Sequence, residues 1–150
     1  MNSFGVARSP RSIHLGVGCR KALATIVRDL GQRAFICTDN RFGQDPMLSA
    51  LADDMRAAGV AVEVYEDTIA ELPLTCITAA AEKARAFGPD VIVGVGGGSC
   101  LDIAKVVALL LAYPGALQDY YGEFKVPGPV LPIIAVPTTA GTGSEATPVA

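Results

Sequence analysis

The chain has 150 residues, 51 % of them hydrophobic and 18 % charged, with 12 basic and 15 acidic side chains and a formal charge of −3. That length suits one domain with a real core, and the composition excludes an intrinsically disordered segment. The mild acidity, with no long basic run, excludes a nucleic-acid face; Arg8, Arg11, Arg20 and Lys21 read as a solvated N-terminal cluster.

The apolar run "IAKVVALLLAY" is too short to span a bilayer and is broken by Lys105, so no membrane partner is expected. "MNSFGVARSPRS" lacks the apolar centre of a secretory signal, and Cys19, Cys37, Cys76 and Cys100 form no CxxC pair. A cytoplasmic protein with buried, reduced thiols is expected.

In chain order, "SIHLGV" (12–17) reads as a first strand, containing the single histidine, His14, as a core or strand-edge residue. Ala22, Leu23, Ile26, Val27 and Leu30 then recur at helical spacing until Gly31. "RAFICTD" (33–39) is a short strand with an acid at its carboxyl end. Asp45 and Pro46 form an N-cap and first-turn pair for a helix with Leu48, Leu51, Met55 and Ala58 on one face, closed by Gly59. "VAVEVY" (60–65) is the third strand, and Thr75 caps a helix that "GP" at 88–89 ends. "DVIVGV" (90–95) has the continuous apolar character of a strand buried on both faces, and "SCLDIAKVVALLLAY" (99–113) is a helix.

A 16-residue connection, Pro114 to Pro129, reads either as a flap over a ligand or as a small hairpin, before "LPIIAV" (131–136) gives a fifth strand. Strands alternating with helices predict an α/β fold, a Rossmann-like parallel sheet flanked by helices with right-handed crossovers.

Three stretches carry candidate chemistry. In "VGVGGGSCLD" (93–102) a buried strand meets glycines and a helix start, where unpaired N–H groups and the helix dipole suit phosphate oxygens. Gly97, Gly98 and Ser99 are the candidate contacts. Ser99 and Asp102 fit a capping box, with Asp102 fixing the loop through backbone N–H groups or meeting a ligand hydroxyl. Asp39 stands 21 residues beyond Gly18, near the spacing of the acid that binds an adenosine ribose and repels a 2′-phosphate. "GVGCRK" nevertheless leaves GxGxxG incomplete, and "TDNRFGQDP" also reads as a plain polar turn. Finally, "PTTAGTGSE" (137–145) follows a strand and so lies at the sheet's carboxyl edge, with hydroxyls on Thr138, Thr139, Thr142 and Ser144.

These segments, in this order, resemble the iron-containing (group III) alcohol dehydrogenase family. "GGGSCLDIAK" is similar to that family's GGGSxxDxAK loop, and "PIIAVPTTAGTGSEATPVA" to its PTTAGTGSE stretch, within a likeness running from "HLGVGCRKAL" onward. The resemblance implies a two-domain enzyme of dehydroquinate synthase-like fold, an oxidoreductase of small alcohols or aldehydes with NAD. It implies that Asp39 takes the adenosine ribose, that Gly97, Gly98 and Ser99 take the pyrophosphate, and that Asp102 is that motif's acid. Thr138, Thr139 and Thr142 would line the cofactor cleft. One departure is "LPLT" (72–75), where the family often shows Pro-x-Pro-Thr.

The resemblance further implies a divalent metal, iron or zinc, held by one Asp and three His in a helical C-terminal domain. With only His14, this chain offers no metal ligand set and no catalytic residue of its own. Residues 1–150 are thus expected to be a dinucleotide-binding domain, the N-terminal part of a longer homo-oligomeric enzyme, inactive alone and carrying an exposed apolar docking surface. The alternatives are a stand-alone or degenerate nucleotide-binding module, or a glycerol dehydrogenase-like or dehydroquinate synthase-like relative.

Overall fold

The computed structural model describes residues 9–122, 125–147 and 150. Arg8, residues 123–124 of the Pro114–Pro129 connection and residues 148–149 of the last motif lie outside them. Four parallel strands form one sheet: β1 (Arg33–Cys37), β2 (Ala61–Tyr65), β3 (Val91–Gly96) and β4 (Ile133–Pro137), in the order β2-β1-β3-β4. Five α-helices accompany them among the described residues: α1 (Leu23–Leu30), α2 (Asn40–Gly43), α3 (Pro46–Ala57), α4 (Leu74–Phe87) and α5 (Gly98–Ala112).

Alternation along the strands divides the core into two layers. Ala34, Ile36, Val91, Val93 and Val95 turn to the face packed by Leu23 and Val27 of α1 and by Leu48, Leu51 and Met55 of α3. Phe35, Cys37 and Ile92 turn to the other face, against Ala80 and Ala84 of α4 and Ile103, Ala104 and Val107 of α5. All six residues of β3 are buried, as its unbroken apolar run requires of a central strand. Gly94 lets α5 close on β3: a Cβ there would stand 3.0 Å from the Cys100 carbonyl oxygen and 3.1 Å from Ala104 Cβ. No helix of the described residues is long and apolar enough to cross a membrane.

Several expectations need correction. Residues 12–17 form no strand: Ile13, Leu15 and Val17 are exposed by 66 %, 88 % and 111 %, and a 3₁₀ turn (Cys19–Ala22) leads directly into α1. An alternating pattern specifies a strand only when a neighbour completes its ladder, and none of the described residues does so. His14 is therefore an exposed residue rather than one of a core or strand edge, and Cys19 is exposed while the other three thiols are buried.

Thr75 does not cap α4, which starts one residue earlier with Pro73 as N-cap and no side-chain cap bond. Proline fixes φ there and lacks only an N–H that the first turn leaves unpaired anyway. The Pro114–Pro129 connection contains a 3₁₀ turn (Leu117–Tyr120) that buries Leu117, and its described residues include no hairpin strand. Asp45 and Pro46 do start α3, the Asp45 Oδ1 accepting from the Met47 amide at 2.7 Å, and Gly88 ends α4 in the left-handed region.

Candidate functional site

From β1 the chain crosses to β2 on one side, and from β2 it returns past β1 to β3. The strand order therefore reverses between β1 and β3, opening a crevice at their carboxyl ends. Asp39 stands on one lip of this crevice and Gly97 on the other.

Asp39 is the N-cap of α2, a short helix that replaces the plain polar turn. Its Oδ1 accepts from the Phe42 amide at 2.8 Å, which fixes the carboxylate's orientation. Its Oδ2 stays open to the crevice, 3.9 Å from Arg41 Nη2 and 4.0 Å from the Cys100 thiol that donates weakly to it.

On the opposite lip, Gly96 has φ 144° and a Cβ there would meet Cys100 Sγ at 2.6 Å, so only glycine fits this turn. Gly97 is the N-cap of α5, followed by Gly98 and Ser99 in its first turn. No side chain caps α5, which overturns the Ser99–Asp102 capping box: the helix begins one residue before Ser99, placing that hydroxyl inside the first turn. The Cys100 amide donates to the Gly97 carbonyl at 3.0 Å, which leaves the amides of Gly98 and Ser99 to water or ligand.

Asp102 fixes the loop by a different route. Its Oδ1 pairs with Lys105 Nζ at 3.0 Å, and its Oδ2 accepts from the Ser144 hydroxyl at 3.4 Å. That second bond moors the loop after β4 to α5, and a role for Ser144 follows that its motif alone did not disclose.

The two Gly-rich loops meet face to face. A Cβ on Gly97 would lie 3.6 Å from the Thr139 side chain, and one on Gly98 would lie 3.2 Å from Ser144 Oγ and 3.5 Å from Thr142 Cγ2. Asp39, Gly97, Gly98, Ser99 and Thr139 line one cleft. Thr142 packs behind Gly98, Asp102 acts from below through Ser144, and Thr138 extends the β3–β4 ladder by donating its amide to the Gly96 carbonyl at 2.9 Å.

Arg41, Thr68, Ala70 and Cys100 also line the cleft and were not singled out in the sequence. Thr68 belongs to the loop after β2, where no periodicity marks it; its amide donates to the Thr38 carbonyl at 3.2 Å. Thr68 is 8 % exposed and Thr38 fully buried, and neither hydroxyl has a hydrogen-bond partner among the described residues. Both hydroxyl oxygens are closed off from solvent, so each is a buried polar atom that costs roughly 1–3 kcal/mol rather than a contact open to the cleft.

Burial, and then the nearby Asp39 carboxylate, push the Cys100 thiol up to about 11, against smaller downward effects of the Gly97 and Asp39 backbone and of the Arg41 charge. Burial likewise raises Cys37 and Tyr65, the latter also through its bond with Cys76. These thiols are therefore protonated packing groups at neutral pH. No group of three or more His, Cys, Asp or Glu among the described residues could hold a metal ion. A larger hollow of about 240 Å³ lies at the opposite, amino edge of the sheet, lined by Arg85, Gly88, Pro89, Leu111, Ala112 and Leu131. It gathers no set of polar groups comparable to the cleft's.

The order of the sheet and the Gly-rich cleft at its switch point define an open, doubly wound α/β domain. The family profile for iron-containing alcohol dehydrogenase matches residues 10–150, and the chain belongs to that family. It is 40 % identical over 133 residues to a sulfoacetaldehyde reductase of Bilophila wadsworthia, covering 88 % of this chain and 34 % of that protein. A solved 1,3-propanediol oxidoreductase superposes with a TM-score of 0.88 at 29 % identity, over 93 % of this chain and 37 % of the other. The sulfoacetaldehyde reductase of Bifidobacterium kashiwanohense, solved in complex with NAD⁺, gives a TM-score of 0.82 at 31 % identity, over 97 % and 39 %. The chain thus spans between a third and two fifths of the length of these relatives.

Proposed function

We propose that this chain is the dinucleotide-binding domain of an NAD-linked oxidoreductase that acts on a small alcohol or aldehyde. One observation carries the reading: Asp39 and the uncapped start of α5 face one another across the switch point, with Thr139 against Gly97. The distribution of chemistry suits a dinucleotide. The open Asp39 Oδ2 accepts from ribose hydroxyls, and the Gly98 and Ser99 amides at the start of α5 receive pyrophosphate oxygens. The bound cofactor supplies the hydride acceptor; this chain's residues bind and orient it.

The family's metal is a separate matter. The described residues bring no ligand set together, so no step of this reading runs through a metal. The substrate, the helical metal-binding domain, the homo-oligomer and the cytoplasmic location belong to the proposal for the longer enzyme, and the chain alone is expected to be inactive.

Calorimetric titration with NAD⁺ and NADP⁺ tests the reading. NAD⁺ is expected to bind and NADP⁺ to bind more weakly, with an Asp39→Gly variant losing the NAD⁺ preference. A folded chain that binds neither dinucleotide would sink it.

A further inference from the structure

We propose that Arg41 is a second specificity determinant of the cleft: its guanidinium is placed to hold a phosphate on the adenosine 2′-oxygen, and the carboxylate of Asp39 keeps it from doing so. This rests on the reading of the cleft as a dinucleotide site.

The geometry comes from the α2 cap. Because Oδ1 of Asp39 is occupied by the Phe42 amide, Oδ2 alone faces outward, and Arg41 Nη2 stands 3.9 Å from that oxygen. Both side chains line the same cleft as Gly97 and Thr139. Among the described residues Asp39 is the only acid with which Arg41 pairs, and the Arg41 side chain is 89 % exposed. It is therefore free to swing a few ångströms without breaking any other ion pair.

A ligand group held at Asp39 Oδ2 lies within reach of this guanidinium. If that group is a hydroxyl, the carboxylate accepts from it and the arginine is a bystander. If it is a phosphate, with a charge near −2, the carboxylate repels it while the guanidinium offers a planar, two-pronged donor set. Cys100, whose thiol stands 4.0 Å from Asp39 Oδ2, lines the cleft together with both charged side chains. The cleft thus holds the acid that selects an unphosphorylated ribose and, two residues on, the base that would select a phosphorylated one.

The test separates the two charges. Asp39→Asn removes the negative charge while its side-chain oxygen still accepts from the Phe42 amide, preserving the α2 cap. Calorimetry with NAD⁺, NADP⁺ and 2′,5′-ADP would be run on the native chain, on Asp39→Asn, and on Asp39→Asn combined with Arg41→Ala or with Arg41→Lys. Circular dichroism confirms the fold of each.

Asp39→Asn is expected to raise the ratio of NADP⁺ to NAD⁺ affinity by about ten-fold or more. Adding Arg41→Ala should abolish most of that gain, and adding Arg41→Lys should retain part of it; 2′,5′-ADP should follow NADP⁺. An equal gain with Arg41→Ala and without it would overturn the proposal while leaving the dinucleotide site standing. If the folded native chain binds none of the three ligands, the reading of the cleft falls and the proposal with it.

Discussion

Beyond β3 the wall of the cleft is almost bare backbone, Gly96 to Gly98, where a Cβ would collide at Gly96, crowd Ser144 at Gly98 and make ordinary contact at Gly97. Beyond β1 the wall is side chain: the Asp39 carboxylate is set by one amide and flanked by the Arg41 guanidinium. On the proposed function, the two turns would divide recognition between them. The glycine turn offers shape and amide dipoles, which suit any phosphate, whereas the Asp39 turn offers charge, which distinguishes one ribose from another. Damage to the first should therefore disturb folding and binding together, while changes to the second should alter selectivity with the fold intact.

The largest expected effect comes from Gly96→Ala. The new methyl must occupy space held by Cys100 Sγ, at a φ of 144°, and Cys100 is itself 2 % exposed with little room to yield. Overpacking and backbone strain together should cost roughly 2–4 kcal/mol, lowering the urea midpoint and abolishing NAD⁺ binding. A midpoint within experimental error of the native one would erase the contrast between the turns.

Next comes Asp39. Asp39→Asn should weaken NAD⁺ by about ten-fold with an unchanged urea midpoint, whereas Asp39→Ala should add a stability loss of about 1 kcal/mol as the α2 cap disappears. Comparing urea curves with binding isotherms for the two variants separates the cap from the charge.

Thr68→Val should stabilise the unliganded chain by about 1 kcal/mol, because it removes a buried hydroxyl that has no partner, and should leave NAD⁺ affinity unchanged. Thermal melts with and without NAD⁺ read both effects. A variant no more stable than the native chain would show that this hydroxyl costs the fold nothing.

The smallest effect near neutrality is that of pH. A thiol whose pKa is higher in the fold than in the unfolded chain contributes fully below its unfolded value, and that contribution is lost as pH rises. For Cys100 the loss should run from about 8.5, the ordinary thiol value, to about 11 in the fold. Urea titrations at stepwise pH should show stability flat near 7 and declining above about 8.5, less steeply in Cys100→Ala.

How far the sequence disclosed this molecule follows from where each signal resides. β3 and α5 were legible because unbroken apolar runs with glycine punctuation leave few alternatives, and the carboxyl-edge position of Asp39, Gly97 and Thr139 followed from the strand–helix alternation. Residues 12–17 misled because alternation records a tendency and not the presence of a pairing neighbour. The capping box at Ser99 and the cap at Thr75 failed by one or two residues, the usual uncertainty of helix ends, although a shift that small changes which atom meets which amide. Thr68 and the Ser144–Asp102 bond were invisible because they depend on long-range closure: the bond joins residues 42 positions apart, a distance no local pattern encodes.

The burial of α5 has a further consequence at its amino end. Cys100, Leu101, Ile103 and Ala104, in the first two turns, are all at most 2 % exposed, so the helix is clamped from behind at the end where short helices ordinarily fray. The amides that face the cleft are thus already aimed before anything arrives. A ligand docking there as proposed would give up little binding free energy to configurational entropy, and preorganisation would govern its affinity at this end of the cleft.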